Sequence, residues 1–233
     1  MLIFAHRGSH NRKTSENTLV AFERALNHGV HGIEFDLRIS RDQVPVAVHD
    51  ENLHRVAGDA RRVRDLTARE LQAVLLRGEG CIPTLNDITS TVPSPIQFDI
   101  EVKDSDALEL LIRKLKTSSN LRERTIVSSF VIEDLLHIRQ EFPEMRTINL
   151  NMSWPLFLRK RKFLKYLKPA DLWAVGFPGR SLNKKRIDWL RNRGFKVAAW
   201  DHQPLKREAR RIARLNPDIA IVFKIEALKK PIS

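Results

Sequence analysis

At 233 residues, 42% hydrophobic and with few glycines, the chain reads as globular and is long enough to bury a full core, either as two ordinary domains or as one large barrel. Its one cysteine, Cys81, excludes an internal disulfide, and no apolar run approaches the ~20 residues of a membrane span. The opening "MLIFAHRG" has no charged leader or small-residue cleavage site, so a cytoplasmic setting is expected. A net charge of +13 raises the question of a polyanionic partner. The basic residues recur instead at helical spacing among apolar ones, in 158–168, 182–193 and 205–214, as solvated outer helix faces do. No nucleic-acid partner is expected; peripheral contact with an anionic membrane surface fits the same basic faces.

In chain order, "LIFA" (2–5) is strand-like and is followed by "NTLVAFERALNHG", where Leu19, Phe22 and Leu26 share a helical stripe and Gly29 marks the stop. Ser15 or Asn17 is the expected cap of this helix. Strand-like runs then recur at 32–37, 98–102, 125–129, 146–150, 172–176, 196–200 and 219–223. Helical stretches such as "DALELLIRKLK", "VIEDLLHIRQEF" and "KKRIDWLRNRG" separate them. Eight strand–helix units predict an α/β fold, a (β/α)8 TIM-type barrel forming a single domain over 1–233. One stretch breaks the alternation: an insertion after the second strand, at about 40–92, carries "VPVAVHD", then "LTARELQAVLLR" with a capping box at Thr67 and Glu70, then "IPTLNDI".

Alternation along a strand puts Ile33, Phe35 and Leu37 on one face of "GIEFDL" and Glu34 and Asp36 on the other. In "IQFDIEVKD" the polar face carries Gln97, Asp99, Glu101 and Lys103. Neighbouring barrel strands therefore aim these acids at the C-terminal mouth, where barrel active sites form. Carboxylates about 4 Å apart repel by roughly 4 kcal/mol per pair at an effective dielectric near 20, so a neutralising group is required. All-oxygen donors favour one hard divalent cation, Mg2+ or Ca2+. The first strand delivers His6, Arg7 and Gly8 to the same mouth, and the insertion returns His49. Two histidines beside such a centre suit acid–base catalysis. The other six histidines are expected to be packed or surface residues, and Glu16 to be structural; Phe130 reads equally as pocket wall or core.

Taken in order, "HRG", the run from "ENTLVAFERAL" to "VAVHDENLHR", "IPTL", "IEVK" and "SSF" closely resemble the glycerophosphodiester phosphodiesterase family over residues 6–130. The resemblance implies a metal-dependent barrel enzyme that hydrolyses a phosphodiester to an alcohol and sn-glycerol 3-phosphate. It implies His6 and His49 as the acid–base pair, Glu34, Asp36 and Glu101 as metal ligands, and Arg7 and Lys103 as phosphate contacts. Trp200 matches the family's aromatic wall. Near the C-terminus the family usually reads W-T-V-N and then G-I-I-T-D, where this chain has "WDHQ" (200–203) and "IAIVFKI" (219–225), with Lys224 about where an acid is expected. A mouth made more basic by His202 and Lys224 is one expectation from these departures. An enzyme of the lysophospholipase D or sphingomyelinase D kind is the alternative, with "WPLFLRKRKFLKYL" (154–167) as the segment expected to hold an acyl chain or lie on a membrane. A non-catalytic basic binder has no reason to keep the six site residues together.

Overall fold

The structure is a computed structural model that describes residues 1–150 and 172–228. The segment expected to form an acyl groove, 154–167, lies outside the described residues. Eight parallel strands close into a barrel: β1 (Leu2–His6), β2 (Gly32–Ile39), β4 (Gln97–Val102), β5 (Thr125–Ser129), β6 (Arg146–Asn149), β7 (Ala174–Pro178), β8 (Lys196–Trp200) and β9 (Ile219–Val222). Pairing of β1 with both β2 and β9 makes the closure. The helices are α1 (Leu19–Leu26), α2 (His54–Ala57), α3 (Ala68–Gln72), α4 (Leu85–Thr91), α5 (Ser105–Thr117), α6 (Ser119–Arg124), α7 (Ile132–Glu141), α8 (Lys184–Arg191) and α9 (Lys206–Leu215). This is the expected (β/α)8 barrel. Among the described residues no helix is long and apolar enough to cross a membrane.

Outward-facing Ile33, Phe35 and Leu37 of β2 and Phe98, Ile100 and Val102 of β4 pack with Phe22, Leu108, Leu111 and Leu135 in the layer between strands and helices. Phe4, Ile126, Ile148, Ala174, Ala198 and Ile219 face inward and fill the lumen. The lumen is thus apolar below and polar above, which places the ionisable residues at the C-terminal end.

The insertion adds one short strand. β1 pairs only with Gly32–Glu34, so the far end of β2 is open on that side, and β3 (Pro45–Ala47) pairs antiparallel there with Leu37–Ile39. Val48 then donates to the carbonyl of Asp36 at 3.0 Å, which fixes the next residue, His49, over the mouth. A satellite core of Val46, Leu53, Val63, Leu66 and Leu71 supports this excursion.

Two local expectations need correction, and a third is met in a helix shorter than its run. Thr18, rather than Ser15 or Asn17, caps α1 by accepting from the Ala21 N–H. The capping box at Thr67 and Glu70 forms, but its helix stops at Gln72 because the chain must turn back, Arg77 donating to the Val56 carbonyl at 2.8 Å and Glu79 to that of Lys13 at 2.7 Å. Finally, α4 belongs to the barrel rather than to the excursion, since Leu85 and Ile88 join the main core.

Gly32 lies where β1, β2 and β4 meet, and a β-carbon there would sit 2.2 Å from the Phe4 ring and 2.8 Å from the Gln97 carbonyl. Backbone of a neighbouring strand cannot step aside, and Phe4 is fully enclosed. Gly32→Ala is expected to lower stability by about 1–3 kcal/mol, read as a reduced urea midpoint at unchanged slope; an unchanged midpoint would show that the lumen accommodates the added methyl.

Candidate active site

Strand register assembles the site. His6 lies level with Glu34 and Asp36 with Glu101, so four polar side chains from three adjacent strands meet above the apolar lumen. One oxygen from each of Glu34, Asp36 and Glu101 lies within 4.8 Å of the others, and all three residues are buried. A cavity of 480 Å3 opens over them, with His6, Arg7, His49 and Lys103 on its polar side and Phe130, Leu150, Trp200 and Phe223 on its apolar side.

The cluster is neutralised unevenly. Asp36 receives Arg7 Nε at 3.0 Å, Lys103 Nζ at 3.2 Å and the Asn17 amide at 2.9 Å. Burial pushes its carboxyl up, but the Arg7 and Lys103 charges outweigh that and hold it well below the usual carboxylate range. Lys103 also binds Glu101, whose carboxyl is nevertheless pushed up to about 7 by burial and by the charge of Asp36. Glu34 is likewise raised well above the usual range, by burial and by Asp36 and Glu101, and its Oε1 is a buried acceptor with no hydrogen-bond donor. A bare acceptor inside three converging carboxylates fits a divalent cation: the donor set is all oxygen, which suits Mg2+ or Ca2+ and not a thiolate-seeking metal.

Each histidine uses Nδ1 on a carboxylate. His6 Nδ1 lies 3.0 Å from Asp201 Oδ1, and its Nε2 lies 3.9 Å from Glu34 Oε2. His49 Nδ1 lies 2.6 Å from Asp50 Oδ1, while Asp50 Oδ2 accepts from Arg55 at 2.6 Å. Burial lowers the affinity of both rings for a second proton, further for His6, which is the more enclosed. Arg55 continues to Glu16 at 2.7 and 2.8 Å, and Glu16 to Arg7 at 3.0 Å, so ion pairs run unbroken from Asp50, the hydrogen-bond partner of His49, to Asp36. Arg7 and Asn17 both adopt left-handed backbone, φ +57° and +54°. Arg7 N–H donates to the Glu34 side chain at 2.9 Å, and Asn17 N–H to the Arg7 carbonyl at 3.0 Å, which holds these uncommon conformations in place.

The eight residues expected to act on metal, phosphate or substrate lie at this mouth: His6, Arg7, Glu34, Asp36, His49, Glu101 and Lys103 in the charged half, Trp200 in the aromatic wall. Phe130 is wall rather than core, 42% exposed with its ring edge-on to Trp200 at 6.3 Å. Glu16, expected to be structural, is a bridge between two arginines at the site. His10 lines the cavity, against the expectation of a packed or surface residue; of the two groups expected to make the mouth more basic, His202 lines it and Lys224 does not. Asp50, Arg55, Asp201 and Phe223 were not anticipated. Asp50 follows His49 directly, which was a usable signal; Asp201 and Arg55 reach the site only through the closure of the barrel and the path of the insertion.

The Glycerophosphoryl diester phosphodiesterase family matches residues 6–222. The chain belongs to this family. Relatives include a glycerophosphodiester phosphodiesterase of Bacillus altitudinis, 30% identical over 81% of this chain and 80% of that protein. Another, from Caldanaerobacter subterraneus subsp. tengcongensis, is 33% identical over 62% of this chain, which spans 64% of that relative's length. The crystal structure of the glycerophosphodiester phosphodiesterase of Thermotoga maritima superimposes with a TM-score of 0.80 at 26% identity, covering 97% of this chain and 96% of that one. A phosphodiesterase of Oleispira antarctica, solved with the product sn-glycerol-3-phosphate, shares the fold at TM-score 0.82 and 20% identity over 98% and 95% of the two chains. As a family member the protein is a phosphoric diester hydrolase.

Asp99 lies below the cluster on β4, fully buried, with its carboxyl pushed up to about 7 by burial and by the Glu101 and Asp36 charges. An acid raised from about 4 in the unfolded chain holds its proton longer in the fold, so its ionisation costs stability as pH climbs from about 4 to about 7. Asp99→Asn removes that ionisation. Relative to wild type, the variant should gain on the order of 2–4 kcal/mol between pH 4.5 and pH 8 by urea unfolding; a difference that does not change with pH would mean that Asp99 titrates normally.

Proposed function

We propose that the chain hydrolyses glycerophosphodiesters to an alcohol and sn-glycerol 3-phosphate, with His6 and His49 moving the protons and with Glu34, Asp36 and Glu101 holding one divalent cation, Mg2+ or Ca2+. The observation that carries this reading is the convergence, at one mouth, of three buried carboxylates, two carboxylate-anchored histidines and the cations Arg7 and Lys103. The bound cation would supply Lewis-acid polarisation of a phosphoryl oxygen.

Arg7 and Lys103 face the same cavity and stabilise the charge that grows on the phosphoryl group as its ester bond breaks. With Nδ1 engaged, each histidine keeps Nε2 for proton work, one ring taking the proton of the attacking hydroxyl or water and the other protonating the departing alkoxide. The attacking group is either the 2-hydroxyl of the glycerol, through a cyclic phosphate, or water. The apolar wall of Phe130, Leu150, Trp200 and Phe223 receives the carbon skeleton and excludes water from the charged half.

Metal-stripped protein should release no glycerol 3-phosphate from glycerophosphoethanolamine, and Mg2+ or Ca2+ should restore release. His49→Ala should then lose about 10²–10⁴-fold in kcat with the metal present. No release with either metal would transfer the reading to lysophospholipids, the substrates of the lysophospholipase D alternative. On the binding side, calorimetric titration of stripped protein should show one site for the activating metal that Asp36→Asn abolishes; binding that survives this change would place the cation elsewhere.

A further inference from the structure

The two stretches where the chain departs from the usual family pattern, 200–203 and 219–225, come together around one side chain. Asp201 follows β8 and Phe223 follows β9, neighbouring strands in the barrel. The Phe223 N–H donates to both oxygens of Asp201, at 2.9 and 3.2 Å, and the Asp201 N–H donates to the Ile221 carbonyl at 3.1 Å. Asp201 Oδ1 then meets His6 Nδ1 at 3.0 Å, and the Phe223 ring stacks on the His6 imidazole, centroids 3.9 Å apart and planes 11° from parallel. The imidazole is held at its edge by the Asp201 carboxyl group and on its face by a ring, and both holders are tied to each other through backbone. All three residues are buried.

We propose that Asp201 and Phe223 form a positioning unit for His6, so that the stretches 200–203 and 219–225 serve the active site of this chain rather than lying outside it. Isolated drift would leave Asp201 a buried carboxylate without a partner, a configuration that costs several kcal/mol. Here each residue supplies what another requires. The Asp201 carboxyl group satisfies Nδ1, the backbone at the end of β9 satisfies that carboxyl group, and the Phe223 ring fills the face of the imidazole. Rotation of His6 about its Cβ–Cγ bond is blocked on both counts, so Nε2 is fixed toward Glu34 and the cavity.

The inference rests on the proposed reaction for its kinetic readout, while a second readout stands apart from it. The His6–Asp201 hydrogen bond is enclosed, so proton NMR of the wild-type protein should show a slowly exchanging downfield resonance, assigned by its loss in His6→Ala. Asp201→Ala and Asp201→Asn should both abolish that resonance. Asp201→Asn keeps an acceptor for the Phe223 N–H, and burial pushes the Asp201 carboxyl up to about 8, so this variant should melt no lower than wild type, which separates fold loss from positioning. Both variants should lower kcat by about a hundredfold at an essentially unchanged KM, as expected when a reacting group is mis-set by a fraction of its length. Absence of the resonance in wild type, its survival in either Asp201 variant, unchanged kcat, or an effect confined to KM would each overturn the proposal. Wild type that shows the resonance but no turnover would instead refute the proposed reaction and leave the anchoring of His6 established.

Discussion

Three carboxylates buried within 4.8 Å of one another are the constraint around which the mouth of this barrel is organised. Left to themselves, such charges would either repel or take up protons, and both responses are visible, in the raised Glu34 and Glu101 carboxyls and in the ion pairs that hold Asp36 ionised. The surrounding cations are arranged for this purpose. Arg7 and Lys103 reach Asp36 from two strands, and Arg7 is itself steadied by Glu16, Arg55 and Asp50. Charge balance therefore links the first strand, the excursion after the second and the third barrel strand into one electrostatic unit.

The barrel makes this unit affordable by separating jobs along its axis. Phe4, Ile126, Ile148 and Ile219 seal the lower lumen, and the polar residues stand on that floor. Parallel register then sets heights: His6 with Glu34, Asp36 with Glu101. A slip by one residue would send each carboxylate into the apolar layer beneath the helices, where no partner exists for it. The close approach at Gly32 belongs to the same device, because it lets Phe4 fill the lumen directly below the site.

The two histidines are set up by different means. His49 sits on the excursion, half-buried, and its carboxylate partner is the adjacent residue, steadied by Arg55. His6 is enclosed and takes its partner from the far side of the chain, 195 residues away, across the seam where the barrel closes. Two imidazoles thus face the cavity from environments of different exposure, the arrangement on which the proposed division of acid from base roles rests.

By itself the sequence determined the barrel, through eight alternations of strand-like and helical runs, and most of the charged site, because side-chain alternation within "GIEFDL" and "IQFDIEVKD" assigns faces without knowledge of the partners. Local signals also sufficed for the capping box at Thr67 and for His49. Tertiary structure alone decided the rest. Whether Phe130 is wall or core depends on what stands opposite, and Trp200 stands there. The true cap of α1, the early end of α3 and the place of α4 in the barrel depend on chain paths that periodicity does not carry. Most of all, "WDHQ" and "IAIVFKI" read as mismatches in isolation. Only closure of β9 on β1 brings Asp201 and Phe223 against His6, since hydrogen bonding and stacking depend on distance in space, which separation along the chain does not encode.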